Sequence, residues 1–231
     1  MNKGYSNAGN NTSWFGMELN YDYGFDNNQF NGNIAGIQWR SKGDGERRAF
    51  GYGYDKANRI LFGDFNQYTS SSWNKSANLN FSMQMGDGSS HSSAYDANGN
   101  IKSMLQYGVK AGGSLVIDNL SYTYNGLSNK LAHVSDAISS DQKLGDFTNK
   151  NTGTDDYSYD VNGNLITDKN KDITSITYNH LNLPYLITVN GKGTIKYTYD
   201  ATGNKLEKET VETSPSAKTT KTSYIGGYVY E

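Results

Sequence analysis

Apolar and polar side chains alternate along several short stretches of the chain. In one of them Ile195, Tyr197 and Tyr199 occupy every second position, with Lys196 and Thr198 between them. Residues two apart lie on the same face of a β-strand, whereas neighbours on a helix face are three or four apart. The alternation therefore predicts antiparallel strands with one apolar and one polar face. The same pattern occurs at residues 79–85 and 120–124.

Turn-forming residues follow these strands in a fixed order. Residues 197–206 read YTYDATGNKL, which places Asp200 first and Gly203 fourth in a chain reversal. An aspartate at the first position accepts hydrogen bonds from the turn's own backbone, and glycine adopts a positive φ at the fourth. The order predicts a type I turn with a β-bulge, which joins two strands into a hairpin.

Tyr-Asp pairs recur along the chain, and such self-similarity predicts a repeat architecture. The last three units lie about twenty residues apart, a period that suits one hairpin per repeat. The pairs are Tyr21-Asp22, Tyr54-Asp55, Tyr95-Asp96, Tyr159-Asp160 and Tyr199-Asp200, with Tyr-Asn variants at Tyr124-Asn125 and Tyr178-Asn179. We assign turn and tyrosine-ladder roles to Tyr54, Asp55, Tyr95, Asp96, Gly99, Tyr159, Asp160, Gly163, Tyr197, Tyr199, Asp200 and Gly203.

These patterns predict an all-β fold, a curled antiparallel sheet of repeated β-hairpins. We expect a single array over residues 1–231, with an atypical N-terminal unit at residues 1–50. Two polar stretches rich in turn formers, residues 139–155 and 212–221, are predicted to be loop insertions. A short helical turn is predicted at residues 135–144.

The composition favours half-buried sheet surfaces over a large, compact apolar core. Only 35% of the residues are hydrophobic, and 19 of the 231 are tyrosine, whose ring packs while its hydroxyl seeks a partner. A net charge of −2 gives no electrostatic footprint for nucleic acid. No apolar run approaches the roughly 20 residues of a membrane-spanning helix. We therefore predict no nucleic-acid partner and no membrane span.

Calcium binding is the metal chemistry that the turns first suggest. Asp96, Asn98 and Asn100 place oxygen-bearing side chains at alternate positions, as a calcium loop does. An EF-hand loop has glycine at position six and glutamate at position twelve, where this chain has Gly99 at position four and Tyr107 at position twelve. These residues are better explained as turn formers, and we predict neither a metal nor a cofactor.

Catalytic residues are sparse. A nucleophilic serine needs a base beside it, and the three histidines lie in a polar loop (His91), after a predicted strand (His133) and in a turn (His180). We expect all three to be solvated. Paired carboxylates of a glycosidase need only meet in space, so that activity stays a minor alternative. The prediction is a protein that is not an enzyme.

Three tryptophans offer a different function, because flat amphipathic rings are good contact surfaces for sugars. The candidate sugar-stacking residues are Trp14, Trp39 and Trp73. The competing interpretation of the aromatic surplus is structural, since Tyr-x-Tyr pairs form cross-strand ladders worth about 0.2 to 1 kcal/mol per pair. Recurrence in every repeat favours the ladder.

The repeats resemble those of the bacterial RHS/YD-repeat family, whose consensus is Tyr-Asp, a Gly-Asn turn and a following Leu or Ile. The matching stretches are YDKANRI from Tyr54, YDANGNI from Tyr95, YDVNGNL from Tyr159 and YDATGNKL from Tyr199, with FNGNIAGIQWR at residues 30–40 resembling a first unit. The resemblance implies a strip of antiparallel hairpins that curls into a shell. In larger members of the family the shell encloses a C-terminal toxin or effector.

Those larger members also carry a self-cleaving core of the Asp-Pro-x-Gly-Arg type. Here neither Pro184 nor Pro215 follows an aspartate. The resemblance therefore implies a fragment or a truncated member, a non-catalytic module of a secreted or surface-exposed shell that encapsulates or displays a C-terminal effector. Its expected partners are adjoining repeats, that effector and further copies paired through open sheet edges. The alternative is an extracellular carbohydrate-binding or cell-surface adhesion module.

Overall fold

The computed structural model describes residues 13–138 and 147–231. Regular structure in this part is almost entirely β-strand, so the predicted all-β fold is confirmed. By its contacts the chain divides into two compact units. Unit 1 takes its described residues from Met1–Tyr122 and Ser135–Thr148, and unit 2 from Thr123–Val134 and Asn149–Glu231.

Nine strands form the first sheet. They are β1 (Phe15–Asn20), β2 (Gly36–Ser41), β3 (Arg47–Tyr54), β4 (Ile60–Thr69), β5 (Ser72–Asn74), β6 (Met83–Met85), β7 (Ser103–Lys110), β8 (Gly113–Tyr124) and β9 (Leu131–Asp136). Their order is β1-β2-β3-β4-β6-β7-β8-β9, with β5 paired to β4. A one-turn helix, α1 (His91–Ala94), lies between β6 and β7.

Eight strands form the second sheet. They are β10 (Tyr157–Tyr159), β11 (Leu165–Asp168), β12 (Ile173–Tyr178), β13 (Pro184–Val189), β14 (Gly193–Tyr199), β15 (Lys205–Glu212), β16 (Lys218–Ile225) and β17 (Tyr228–Tyr230), with a 3-10 turn at Lys169–Lys171. Each strand pairs antiparallel with the next along the chain. This is the hairpin-by-hairpin topology that the repeats predict.

An aromatic cluster forms the core of unit 1. Phe65 on β4 is 1% exposed, and its ring packs edge-on against Phe50 at 5.3 Å and Phe81 at 5.2 Å between centroids. Trp39 stacks on Phe50 at 5.8 Å. These side chains come from β2, β3, β4 and the segment before β6, so one face of the sheet is covered by rings.

Glycines make the opposite face of the same strands flat. A Cβ at Gly36 would lie 2.4 Å from the ring of Phe25, and one at Gly53 would lie 2.1 Å from the ring of Phe62. Neither distance is sterically allowed, so only glycine lets these two rings lie against the strands.

The predicted alternation of buried and exposed side chains is present along β14 but not in the segment before β6. Tyr197 and Tyr199 are half-buried while Lys196 and Thr198 are exposed, as predicted. In residues 79–85 only Met83–Met85 forms a strand. Ser82, predicted on the polar face, is buried, and its hydroxyl accepts a hydrogen bond from the N–H of Phe65 at 2.9 Å. The prediction for Ser82 is wrong because a hydroxyl that is hydrogen-bonded can occupy a buried position in place of an apolar side chain.

The predicted loops are partly described. Residues 147–155 contain no strand or helix, and residues 139–146 lie outside the described part. The insertion predicted at 212–221 is shorter, because β15 continues to Glu212 and β16 begins at Lys218. Of the helical turn predicted at 135–144, Ser135 and Asp136 belong to β9 instead. The single array over residues 1–231 and the atypical unit at 1–50 stay predictions.

Candidate functional site

Five Tyr-Asp or Tyr-Asn turns share one backbone geometry. The carbonyl of the first turn residue accepts the N–H of the fourth at 3.0 to 3.2 Å, and its N–H donates to the carbonyl of the fifth at 2.9 Å. The fourth residue has a φ between 56° and 90°, the left-handed region of a bulged type I turn. The turns begin at Asp55, Asp96, Asp160, Asn179 and Asp200.

The carboxylate of the turn aspartate accepts its hydrogen bonds from within its own turn. In the last repeat, Oδ1 of Asp200 accepts the N–H groups of Thr202 at 2.8 Å and Asn204 at 2.9 Å, and Oδ2 accepts Nδ2 of Asn204 at 2.9 Å. The Asn204 amide, with the Thr202 hydroxyl and the two N–H groups, holds the pKa of Asp200 below its ordinary value. Asp96 and Asp160 make the same bonds to their turns. These oxygens are therefore structural acceptors.

The tyrosine before each turn reaches the preceding repeat. Its hydroxyl donates to a main-chain carbonyl at 2.5 to 3.0 Å, and in four of five cases the acceptor is the first residue of the strand that follows the preceding turn. The bonds run from Tyr54 to Ile34, Tyr95 to Ile60, Tyr159 to Leu131, Tyr178 to Leu165 and Tyr199 to Pro184. We call each of these bonds a tyrosine lock.

The lock hydroxyls are protonated donors at neutral pH, and burial strengthens that state. Partial burial raises the pKa of all five tyrosines above the ordinary value. A cation from the preceding turn also covers the ring in two locks, with Arg59 4.4 Å from the centroid of Tyr95 and Lys130 5.7 Å from that of Tyr159. Ring and hydroxyl together therefore fasten one repeat to the next within each unit.

Other predicted units depart from this geometry. Tyr21 begins the segment between β1 and β2, where its carbonyl accepts the N–H of Gln29 at 2.6 Å. The turn at Asn125 is one residue longer, since the Asn125 N–H donates to the carbonyl of Lys130 at 2.8 Å. Phe30, at the start of the FNGN segment, is 85% exposed.

The structure places the three tryptophans in different settings. Trp14 is 76% exposed, with the ammonium of Lys42 4.5 Å above its ring. Trp39 belongs to the aromatic cluster of unit 1. Trp73 on β5 lines a cleft of about 970 Å³ in unit 1. The three rings therefore do not form one platform, and sugar stacking by them stays a prediction.

A buried carboxylate in unit 2 contacts one of the histidines. Asp156 is 0% exposed, and its carboxylate accepts the N–H of Val134 and Nδ2 of Asn151, both at 2.8 Å. Nδ1 of His133, within β9, lies 2.9 Å from Oδ2 of Asp156. Burial alone would raise the pKa of Asp156, but these donors outweigh it and lower the pKa below its ordinary value. The expectation of a solvated His133 is wrong.

His91 and His180 are exposed, in α1 and in the turn after Tyr178. In residues 13–138 and 147–231, no three His, Asp or Glu side chains are grouped as metal ligands would be. None of the helices in this part of the chain has the length and apolar character to span a membrane.

No family model and no curated protein matches the chain. Among solved structures it is similar to a chain of TcdB2-TccC3-Cdc42, with 12% identity and a TM-score of 0.53, covering 91% of this chain and 11% of that chain. A chain of TcdB2-TccC3-TEV gives 14% identity and a TM-score of 0.45, with 92% and 11% coverage. The first likeness concerns the fold alone and supports an RHS-like fold.

Proposed function

We propose that the chain is a non-catalytic structural module of an RHS/YD-repeat shell that encapsulates or displays a C-terminal effector. The observation that carries this proposal is the tyrosine lock. The same hydroxyl, at the same place in successive repeats, bonds to the repeat before it. A contact that recurs with the repeat period serves the wall that the repeats build, whereas a binding or catalytic site is local.

The use of side chains supports a structural role. The carboxylate oxygens of the turn aspartates accept hydrogen bonds from their own turns, and the hydroxyls of the lock tyrosines donate to the neighbouring repeats. These are the polar groups that recur most often in the chain, and their bonds set the position of one hairpin against the next. No reactive atom is presented by this arrangement.

The fold likeness supports placing the module in a larger shell. The chain spans 11% of the length of the TcdB2-TccC3-Cdc42 chain that it resembles. Adjoining repeats and an effector are therefore the partners in this proposal, with a secreted or cell-surface location. Self-association belongs to it as well, because both terminal strands carry exposed side chains, such as Phe15 on β1 at 51% and Tyr228 on β17 at 70%.

Protease protection tests this function. The full-length gene product that contains this chain is purified and digested, and the fate of any segment C-terminal to the repeats is followed by mass spectrometry. Encapsulation predicts protection of that segment in the wild type. The triple variant Tyr159→Phe/Tyr178→Phe/Tyr199→Phe, which removes three locks, should accelerate its digestion, whereas Tyr197→Phe should not.

Two outcomes contradict the proposal. Rapid digestion of the segment in the wild type, as fast as in the triple variant, would exclude encapsulation. A gene product with no segment after the repeats would leave this chain without an effector to enclose or display.

A further inference from the structure

We propose that the chain carries two spontaneous modification sites, Asn125 and Asn190, at which the side-chain amide is lost by deamidation. Asparagine is most prone to this reaction when glycine follows it, because glycine has no side chain to hinder attack by its own main-chain nitrogen. The fold leaves two such dipeptides open to the reaction, whereas hydrogen bonds restrain the others. The five dipeptides are Asn31-Gly32, Asn98-Gly99, Asn125-Gly126, Asn162-Gly163 and Asn190-Gly191.

The reaction needs water and no other reagent. The main-chain nitrogen of the glycine attacks Cγ of the asparagine, so that a C–N bond forms. The Cγ–Nδ2 bond breaks, and Nδ2 leaves as ammonia with the proton of the glycine N–H. Water then opens the resulting five-membered succinimide at either carbonyl carbon, which gives aspartate or isoaspartate. A hydrogen bond made by the glycine N–H or by the asparagine amide must open first, so each such bond slows the reaction.

The turn at Asp160 holds both reacting groups of Asn162. The N–H of Gly163 donates to the main-chain carbonyl of Asp160 at 3.1 Å. Nδ2 of Asn162 donates to Oδ1 of Asn182, in the next turn, at 3.1 Å. Both bonds must open before Gly163 can attack Asn162. The repeat turn that contains an Asn-Gly dipeptide therefore also protects it.

Each of the two dipeptides in unit 1 keeps at least one restraint. The N–H of Gly99 donates to the carbonyl of Asp96 at 3.1 Å, which holds the attacking nitrogen of that turn. At Asn31 the amide is held instead, because Nδ2 donates to Oδ1 of Asn58 at 2.6 Å and Oδ1 accepts the N–H of Asn33 at 3.1 Å. Both dipeptides should therefore react more slowly than an unrestrained one.

Asn125 and Asn190 have neither restraint. Within the described residues, their side chains and the N–H groups of Gly126 and Gly191 make no hydrogen bond. A Cβ at either glycine would lie more than 4 Å from any atom beyond the adjacent residues, so the space around the attacking nitrogen is open. Both asparagines are exposed, which gives water access to the succinimide.

The short connection between β13 and β14 gives the modification at Asn190 a structural consequence. Val189 pairs with Gly193, so residues 190–192 alone connect the two strands, and the N–H of Lys192 donates to the carbonyl of Val189 at 3.1 Å. An isoaspartate at position 190 carries the main chain through its side-chain carbon, which adds one atom to this connection and one negative charge. Amide exchange at Lys192 and Gly193 should therefore be faster in the deamidated chain.

A comparison of rates at the five dipeptides tests this inference on the whole chain. The protein is kept in mildly alkaline buffer, once folded and once unfolded in guanidinium chloride. The deamidated fraction of each Asn-Gly peptide is followed by mass spectrometry. The ratio of folded to unfolded rate removes the influence of neighbouring residues in the sequence. We expect this ratio to be near one at Asn125 and Asn190, roughly tenfold smaller or less at Asn162, and intermediate at Asn31 and Asn98.

Two variants serve as controls. Asn182→Gly frees Nδ2 of Asn162 while the Gly163 N–H stays bonded, and glycine suits the φ of 56° at position 182. It should raise the ratio at Asn162 roughly threefold and leave that at Asn190 unchanged. Asn190→Gln would have to close a six-membered ring, so modification at position 190 should stop, with an unchanged circular dichroism spectrum.

Equal ratios at the five dipeptides would overturn the inference, and so would a ratio at Asn162 as large as that at Asn190. A ratio roughly tenfold below one at Asn125 or Asn190 would show that the loop restrains that asparagine and would remove it as a site. The shell proposal depends on the tyrosine locks, and none of these rates bears on it.

Discussion

Unit 1 and unit 2 are built from the same kind of hairpin but are stabilised by different interiors. Among the described residues, most buried apolar side chains belong to unit 1: Ala35, Ala49, Leu61, Phe65, Met85, Ala94, Tyr95, Ile117 and Leu120. Unit 2 contributes Ala132, Val134 and Ile176. Its largest side chain below 2% exposure is not a ring but the carboxylate of Asp156.

The difference shows how a thin sheet can be stabilised with little apolar area. A strand that is half-buried on its faces gains little from the hydrophobic effect, which scales with the area removed from water. Unit 2 compensates with hydrogen bonds between consecutive hairpins, the locks of Tyr159, Tyr178 and Tyr199 among them. Unit 1 has locks too, from Tyr54 and Tyr95, but adds an aromatic core.

Unit 1, which has the aromatic core, also contains irregular elements. The short strands β5 and β6 and the helix α1 interrupt the hairpin pattern of unit 1, and a 3-10 turn at Lys169–Lys171 lies between β11 and β12 of unit 2. A cleft of about 970 Å³ lies among the irregular elements of unit 1, with Trp73, Met83 and Asp87 in its lining.

Removing the central ring of unit 1 should have the largest effect. Phe65→Ala deletes a fully buried phenyl and leaves a cavity, so we expect a loss of about 3 to 5 kcal/mol in the free energy of unfolding. All three tryptophans lie in unit 1, so urea unfolding followed by tryptophan fluorescence reports on that unit. Phe30→Ala, at a site 85% exposed, is the control and should leave the transition within about 0.5 kcal/mol of wild type.

Removing the buried carboxylate of unit 2 should come next. Asp156→Ala leaves the Val134 N–H and the Asn151 amide without their acceptor and removes the carboxylate 2.9 Å from Nδ1 of His133, at a cost of about 3 kcal/mol. Faster amide exchange in β10–β13 should report the loss, with tryptophan fluorescence unfolding unchanged. Asp155→Ala, at the exposed neighbouring position, is the control. A variant that weakens both units equally would mean that the two interiors are not independent.

Acid should weaken unit 2 through the same residue, by a smaller amount. The folded pKa of Asp156 is lowered below its unfolded value, which is near 4, so its contribution is present above that value and is lost as pH falls through the folded pKa. Amide protection factors in β10–β13, which correct for the slower intrinsic exchange in acid, should fall more between pH 5 and pH 3 in the wild type than in Asp156→Asn, which cannot titrate there. Parallel pH profiles for the two proteins would contradict the assignment.

The turns could be predicted from sequence, and the locks could not. Asp200 and Gly203 act within four residues, where side-chain chemistry and backbone geometry determine each other. The partner of the Tyr95 hydroxyl is Ile60, 35 residues earlier, and it depends on how two hairpins are staggered. The alternation of residues predicts that the lock tyrosines lie on the apolar face of their strands, but it does not indicate which groups accept hydrogen bonds from their hydroxyls.

Long-range pairing also explains the misread histidine. The acidic residue nearest to His133 in sequence is Asp136, three positions later, and nothing local points to a partner further along the chain. The contact of His133, Asp156, follows a stretch predicted to be a loop insertion. A buried carboxylate in a segment rich in turn formers leaves no signal in hydropathy, because the surrounding residues are polar as well.

Removing one lock should have the smallest effect of the series. Tyr199→Phe keeps the ring and deletes the hydroxyl that donates to Pro184 at 3.0 Å, so we expect a loss of about 1 kcal/mol in the free energy of unfolding of unit 2. Tyr197→Phe is the matched control, because Tyr197 lies on the same face two residues earlier and has no such bond in the described part of the chain. Amide exchange in β13 and β14 measures the difference.

Combining locks tells whether they act one by one. Tyr159, Tyr178 and Tyr199 bond to three different carbonyls, so independent locks predict a triple Phe variant that loses about three times as much as a single one. A larger loss would mean that the hairpins of unit 2 are positioned cooperatively. If the triple variant loses no more free energy of unfolding than Tyr197→Phe, the apolar contacts of the rings, and not their hydroxyls, hold the repeats together. Unit 2 would then differ from unit 1 in the amount of apolar packing and not in the kind of interaction that stabilises it.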